Sequence, residues 1–272
     1  MITLVGMVRD EAKYLAEWLT YHRLIGVTDF VIYLHNCADD SARVISQLPF
    51  PVTAIAVTSA EIGWEFKNRI YRAGLDAAKT PWAVCLDIDE FLCLPGHENI
   101  AEFLTQPKFD SASGIAVHQN IFGFGGHTAS PAGLVIENYT LRNSDDPLRD
   151  RLYPQYHDPA DLFKTVKVIV RPEQVVKICD SHTFLCRQKL VTEDGELFKK
   201  YQCRRVLSEI RLNHYFTKSQ EDWGAKTARA RLSGAAMYPP AWFEYFGAQA
   251  TIDRALADKF PAKIKEYVRT WP

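Results

Sequence analysis

Residues Pro81–Leu94 read PWAVCLDIDEFLCL. Trp82 to Leu86 is an apolar run that stops abruptly at three carboxylates, Asp87, Asp89 and Glu90. A run of this length bounded by charge predicts a strand covered on both faces. In open α/β sheets, ligands sit just outside the carboxyl ends of such strands. Two aspartates with one residue between them can reach one hard divalent cation, Mg²⁺ or Mn²⁺, or its water shell. Such an ion prefers oxygen ligands and is usually shared with substrate phosphates. Taken alone, Asp-x-Asp is better read as a solvated acidic turn; the rest of the chain shifts that balance.

Upstream, strand and helix signals alternate. Ile2 to Val8 predicts a first buried strand, and Asp10-Glu11 suit the N-terminus of a helix whose Leu15, Trp18, His22 and Ile25 recur at helical spacing before Gly26. Asp29 to Leu34 predicts a second strand. Asp39 or Asp40 suits the cap of a short helix that Pro49 terminates. Val52 to Val57 predicts a third strand, and Trp64 to Lys79 an amphipathic helix leading into the Asp87 strand. This β-α-β-α-β-α-β order predicts a parallel, helix-covered sheet whose polar strand ends converge on one crevice suited to a nucleotide. No Gly-x-Gly-x-x-Gly follows the first strand, and no Gly-x-x-x-x-Gly-Lys is present, so dinucleotide and phosphate-loop folds are disfavoured.

Downstream, His97 to Gln106 predicts a short helix, and Gly114 to Phe122 and Gly133 to Leu141 predict strands joined by FGFGGHTASPAG. Asn143 to Asp161 has turn chemistry and no period, the mark of a long substrate loop. Thr165 to Val170 and Glu209 to Phe216 predict further strands. Ser219 with Asp222 three residues on is a capping-box signature, and Thr251 to Val268 predicts a last helical region broken near Pro261.

The 272 residues carry a formal charge of −1 and are nearly half hydrophobic, which predicts one large domain or two small ones with a sizeable core. A near-neutral balance gives no electrostatic reason to expect nucleic acid as a partner. The six cysteines lack CxxC spacing and several sit in apolar runs, which suits free thiols in a reducing compartment. The N-terminal MITLVGMV is too short for a signal sequence, and no run approaches the roughly 20 apolar residues of a membrane span. The expectation is a cytoplasmic protein without a transmembrane segment, with peripheral membrane contact left open.

VRDEAKYLAEWLTYHRLIGVTDFVIYLHNCADDS resembles the opening of the family 2-like and family 92-like glycosyltransferases. WAVCLDIDEFL, FGFGGH…PAGLVIENYTLR, FKTVKVIVRPEQV and LNHYFTKSQEDWGAKTARA match further stretches in the family's order, across most of residues 1 to about 231. The chain departs from the family pattern at Arg9-Asp10, at Cys37-Ala38 and in FGFGGH. The resemblance implies an α/β fold of the GT-A type: a Rossmann-like, mostly parallel sheet with helices on both faces, then mixed strands. It divides the single domain into a nucleotide-sugar-binding half, 1–112, an acceptor-side half, 113–217, and a C-terminal helical tail, 218–272. It implies an inverting, metal-dependent transfer of a sugar, with a uridine diphosphate (UDP) donor favoured, to a hydroxyl acceptor that is a glycan, a lipid-linked group or a protein. The leaving nucleoside diphosphate independently calls for a divalent Lewis acid.

In that frame Asp89 is the metal ligand, with Asp87 on the ribose or the metal's water shell and Glu90 behind them or toward the sugar. The resemblance also points to His214 as completing the metal site and to Glu11 and Asn36 as donor contacts. Asn68 and Arg72, one helical turn apart, are candidates for the diphosphate. Lys218, Lys226 and Arg229 are candidates to close over it. An inverting transfer needs a base, normally a carboxylate; Asp161 and then Asp158 fit its position, with Glu137, Asp180 and Asp222 open. His127 and His182 are candidate acceptor contacts. Each has an ordinary alternative: a cap for Glu11, a turn for Asn36, a core or structural role for the three histidines, a solvated basic helix for the lysines and arginines. Two other functions fit the same carboxylates: a nucleotide-sugar-binding protein without transfer, and a metal-dependent phosphohydrolase.

Overall fold

The computed structural model describes residues 1–143, 165–200, 203–228, 241–247 and 249–268. The first half alternates as the sequence predicts: β1 Ile2–Val8, α1 Ala12–Leu24, β2 Asp29–His35, α2 Ser41–Ser46, β3 Thr53–Val57, α3 Trp64–Ala77, β4 Trp82–Leu86. Then come β5 Glu90–Cys93, α4 Ile100–Leu104, β6 Gly114–Ile121, α5 Val135–Asn138, β7 Leu141–Arg142, β8 Val166–Val170, β9 Val175–Ile178, β10 Phe184–Cys186, β11 Leu190–Val191 and β12 Arg211–His214. The chain closes with α6 Gln220–Ala228, α7 Ala241–Gly247, β13 Thr251–Ile252 and α8 Pro261–Val268.

The main sheet runs β3-β2-β1-β4-β8-β6-β12-β5, with β11 also on β6. β1 to β4 are mutually parallel, β8 is antiparallel to both β4 and β6, and β12 is parallel to β6 but antiparallel to β5. This is the α/β, GT-A-type arrangement expected: a mostly parallel half followed by a mixed one. β4 and β5 lie four strand spacings apart along the sheet, roughly 19 Å if it were flat. Only Asp87, Ile88 and Asp89 separate them in the chain, and four Cα steps reach about 14 Å at most. The sheet must therefore curl, which brings the end of β12 back over the end of β4.

Period-two alternation gives the inner strands β1, β2 and β4 two buried faces. Leu4, Val8, Phe30, Ile32, Val84 and Leu86 pack with Leu15, Trp18, Leu19 and Val44 of α1 and α2. Val5, Met7, Val31, Tyr33, Ala83 and Cys85 pack with Phe66, Tyr71 and Leu75 of α3. The close seat of α3 requires Gly74, where an added Cβ would lie 2.3 Å from Val5 Cγ1.

The sequence LAEWLTYH ties α1 to the curled edge. Trp18 Nε1 donates to Glu90 O at 2.8 Å and Tyr21 Oη donates to Leu92 O at 2.5 Å. Leu92 N donates to His22 Nε2 at 3.4 Å while His22 Nδ1 lies 2.8 Å from Trp18 O. That pair of contacts fits a neutral imidazole, and burial lowers the His22 pKa to about 3.

Two predicted elements are corrected. Gly133 to Leu141 is not a strand: Val135–Asn138 is a short helix because the Glu17 carboxylate accepts from Val135 N at 2.7 Å and Ile136 N at 3.0 Å. Thr251 to Val268 is helical only from Pro261; Thr251–Ile252 pairs with β7 instead. No helix among the described residues is long and apolar enough to cross a membrane.

Candidate functional site

The carboxyl ends of β1, β2, β4, β6 and β12 and the amino end of the antiparallel β8 share one side of the sheet. Asp87 follows β4. Its Oδ1 accepts from Lys67 Nζ at 2.7 Å and from Tyr71 Oη at 3.2 Å, and its Oδ2 from Lys167 Nζ at 3.1 Å. Burial works to raise the Asp87 pKa, but Lys167 and Lys67 outweigh it and hold the group well below the usual carboxylate range.

Glu90 opens β5 and is fully buried. Its Oε2 accepts from Asp87 N at 2.8 Å and sits 3.0 Å from Lys167 Nζ, while its Oε1 has no hydrogen-bond partner among the described residues. Burial raises its pKa, with Lys167 opposing. Lys167, itself only 1% exposed in its side chain, thus bridges two carboxylates. Burial would lower its pKa, but Asp87 and Glu90 carry it above the ordinary lysine value.

Asp89 faces a different set of cations. Its Oδ2 accepts from Lys226 Nζ of α6 at 2.8 Å, and its Oδ1 lies 3.5 Å from His214 Nε2. Burial pushes its pKa up, but Lys226 and His214 pull it well down. His214 Nδ1 lies 3.1 Å from Gln119 Oε1, which leaves Nε2 turned toward Asp89. Buried Lys218 sits at positive φ with its ammonium 4.6 Å from the centre of the Tyr14 ring. Burial depresses its pKa against the opposing charges of Asp89 and Glu11.

The structure separates the predicted metal set. Among the described residues Asp87, Asp89 and His214 do not bring three ligand atoms within 4.8 Å of one another; the group that does is Asp10, Cys37 and Asp39. Those two aspartates are occupied by backbone, Asp10 accepting from Ala38 N and Asp39 from Ala12 N and Ser41 N. A divalent cation fits Asp89 and His214: at 3.5 Å apart both can bond one ion at roughly 2.1–2.2 Å, and a second partner on the far imidazole nitrogen is usual for ligating histidines. Asp87 is more heavily engaged, with Lys67 and Tyr71 on Oδ1 and Lys167 on Oδ2.

The other predicted residues are spread more widely. Arg72 Nη1 donates to Val175 O at 2.9 Å and its guanidinium pairs with Asp76, and Asn68 Nδ2 donates to Ile178 O at 3.4 Å. Both face β9, and Lys67, one residue earlier, is the side chain of α3 that reaches Asp87. Asn36 pairs twice with the backbone of Ser59, through Oδ1 to N and Nδ2 to O. Glu11 precedes α1 without a side-chain cap bond, close enough to Lys218 to oppose the fall that burial imposes on its pKa. His182 Nδ1 lies 3.1 Å from Val166 O, and its pKa falls to about 3, from burial and then from Lys167. His127 Nε2 lies 3.3 Å from Asn138 O.

Asp161, Asp158 and Arg229 lie outside the described residues. Asp222 accepts from Ser219 and from Tyr14 and Tyr139; burial would raise its pKa, but the Ser219 and Tyr14 bonds bring it to about 2. Asp180 binds Lys200 and two backbone N–H groups, and Glu137 binds Lys265. Lys167 is a site residue outside the predicted set, although its sequence context carries a signal for it. A lysine inside the apolar run VKVIV must find carboxylate partners if that strand is buried.

No family model matches the chain. A glycosyltransferase family 92 protein of Ricinus communis is 28% identical over 263 residues, 88% of this chain and 43% of that protein. Another, from Oryza sativa subsp. japonica, is 32% identical over 145 residues, 50% of this chain and 24% of that protein. The chain is similar to glycosyltransferase family 92 proteins. It spans less than half the length of these curated relatives. Among solved structures, Staphylococcus aureus TarS 1–349 in complex with UDP-GlcNAc aligns over 99% of this chain and 73% of its own, at 9% identity and a TM-score of 0.46. Glucosyl-3-phosphoglycerate synthase of Mycobacterium tuberculosis with Mn²⁺, UDP-glucose and phosphoglyceric acid aligns over 64% of this chain and 58% of its own, at 13% identity and a TM-score of 0.37. Both structural likenesses are distant.

Proposed function

We propose that this domain is an inverting glycosyltransferase that moves a sugar from a nucleoside diphosphate sugar, with UDP the favoured nucleotide, to a hydroxyl acceptor. The observation that carries the reading is the charge arrangement at the curled strand ends. Lys67, Lys167, Lys218 and Lys226 stand among Asp87, Asp89, Glu90 and Glu11, four lysines paired or close to four carboxylates. A partly buried cluster of lysines at the carboxyl end of a sheet suits a diphosphate that gains negative charge as the glycosidic bond breaks. The names of the curated relatives support the same reaction class.

Asp89 and His214 would hold a divalent cation, Mn²⁺ or Mg²⁺, with waters and diphosphate oxygens completing its shell. When bound, it supplies Lewis-acid stabilisation to the leaving diphosphate. The chain's own residues do the rest. Lys167 and Lys67 hold Asp87 ionised beside the ribose side of the crevice, and Gln119 orients His214. Residues 1–112 form the donor half and 113–217 the acceptor side. Inversion needs a carboxylate base to take the acceptor proton, and Asp161 or Asp158 is the proposed source.

The test is calorimetric titration of UDP with Mn²⁺ and then with EDTA, in wild type, Asp89→Ala and Asp89→Asn. The last variant keeps the side-chain volume in case Asp89→Ala fails to fold. Metal-dependent binding lost in folded Asp89→Asn is expected. Wild-type UDP affinity in EDTA would remove the metal from the mechanism; no binding of UDP or of other nucleoside diphosphates would remove the donor site. Donor binding with no transfer across a broad acceptor panel would favour a binding protein.

A further inference from the structure

Asp87 and Asp89 have counter-ions of very different kinds. Lys167 on Asp87 is sealed in the sheet. Lys226 on Asp89 is not: its side chain is 21% exposed and it is carried by the last turns of a helix. Besides Asp89, it donates to Phe216 O at 2.8 Å and lies 4.3 Å from the centre of the Phe216 ring. The helix itself is fastened elsewhere. Asp222, in its first turn, binds Ser219, Tyr14 and Tyr139 and lies 3.7 Å from Lys13. The Lys226 stem can therefore rotate without moving α6, as a four-carbon lysine chain allows.

A cation between Asp89 Oδ1 and His214 Nε2 would draw on the same single negative charge that Lys226 now neutralises through Oδ2. We propose that Lys226 is the resident counter-cation of Asp89, released to a nucleoside diphosphate when a divalent cation takes the carboxylate. The proposal rests on the nucleotide-sugar reading for its second half only. Lys226 thereby keeps a buried carboxylate compensated in the empty domain and contributes a diphosphate contact in the loaded one. Cation and lysine are antagonists at Asp89, and the diphosphate relieves the antagonism by giving the lysine a second anion. Cation and donor should consequently bind with positive coupling.

The experiment titrates Mn²⁺ alone into the full chain, followed by the loss of the free-ion paramagnetic resonance signal, in wild type, Lys226→Met, Lys226→Arg and Lys218→Met. If Lys226 competes for Asp89, Lys226→Met binds Mn²⁺ about tenfold tighter than wild type, and Lys226→Arg stays within roughly threefold of it. Lys218→Met removes a nearby charge that makes no contact with Asp89 and gains less than half as much in log affinity. UDP titrated at saturating Mn²⁺ then binds Lys226→Met more weakly than wild type. Equal Mn²⁺ affinity in wild type and Lys226→Met, absence of Mn²⁺ binding in both, or an equal gain in Lys218→Met overturns the exchange. Absence of UDP binding to Mn²⁺-loaded wild type overturns the donor reading instead, while the Mn²⁺ comparison still decides who holds Asp89.

Discussion

Replacing Lys167 by methionine tests a buried ion that bridges two carboxylates. Methionine has a similar length and removes only the ammonium. Asp87 then keeps Lys67, but Glu90, fully buried with one oxygen unpartnered among the described residues, loses the ammonium 3.0 Å from its other oxygen. Removing one partner of a buried pair costs about 3–5 kcal/mol because the other charge stays behind. For a domain of this size that is on the order of 10 °C in melting temperature. The pH dependence identifies the cause. In wild type the Glu90 pKa is already raised, so its contribution is complete below its unfolded value, near about 4.3, and is lost as pH rises through the folded value. Without Lys167 that loss grows. The depressed Asp87 pKa moves back up as well, and a depressed carboxylate stabilises above its unfolded pKa, so this contribution also disappears at high pH. Both signs agree: the deficit in Lys167→Met must be larger at pH 8 than at pH 5. Urea unfolding at the two pH values measures it. A deficit that is absent, or larger at pH 5, refutes the argument.

Two further substitutions probe the frame around the site. Glu17 is buried under α5 with its pKa raised by burial to about 7, so wild-type stability should fall as pH rises from 5 to 8. Glu17→Gln removes that titration, worth on the order of 3 kcal/mol at most, and its melting temperature relative to wild type should climb across the same interval. Gly74→Ala places a methyl group 2.3 Å from Val5 Cγ1, and overpacking of this kind costs roughly 1–3 kcal/mol. A denaturation midpoint unchanged from wild type would mean that α3 has more room over β1 than the packing shows.

The parallel half of the fold was legible because its inner strands β1, β2 and β4 face two cores and its helices carry an apolar stripe. Those are local patterns. What failed depends on partners far away in sequence. Gly133 to Leu141 has the composition of a strand, yet Glu17, more than a hundred residues earlier, caps Val135 and Ile136 and makes a helical turn there. The Asp87 to Glu90 segment was legible as a strand end but not as the point where the chain crosses a curled sheet. That required the pairing of β5 with β12, which no local signal encodes. On α3, the pair Asn68 and Arg72 drew attention by its helical spacing. Lys67, the residue just before that pair and on another side of the helix, is the one that reaches Asp87.

These particulars divide the two aspartates of the motif by function. Asp87 is held by Lys67 and Tyr71 on one oxygen and by Lys167 on the other, so an entering cation competes with an ammonium group on either side, one of them sealed in the sheet. Asp89 presents one oxygen to an imidazole and the other to a lysine on a flexible stem, so its counter-ion can change at low cost. The first aspartate therefore builds the strand end, and the second is the one able to exchange partners. A spacing of Asp-x-Asp is compatible with two equivalent ligands; the number and burial of the lysines facing them make them unequal. On this argument the lysines are as much a part of the motif as its carboxylates, because they decide which carboxylate remains available.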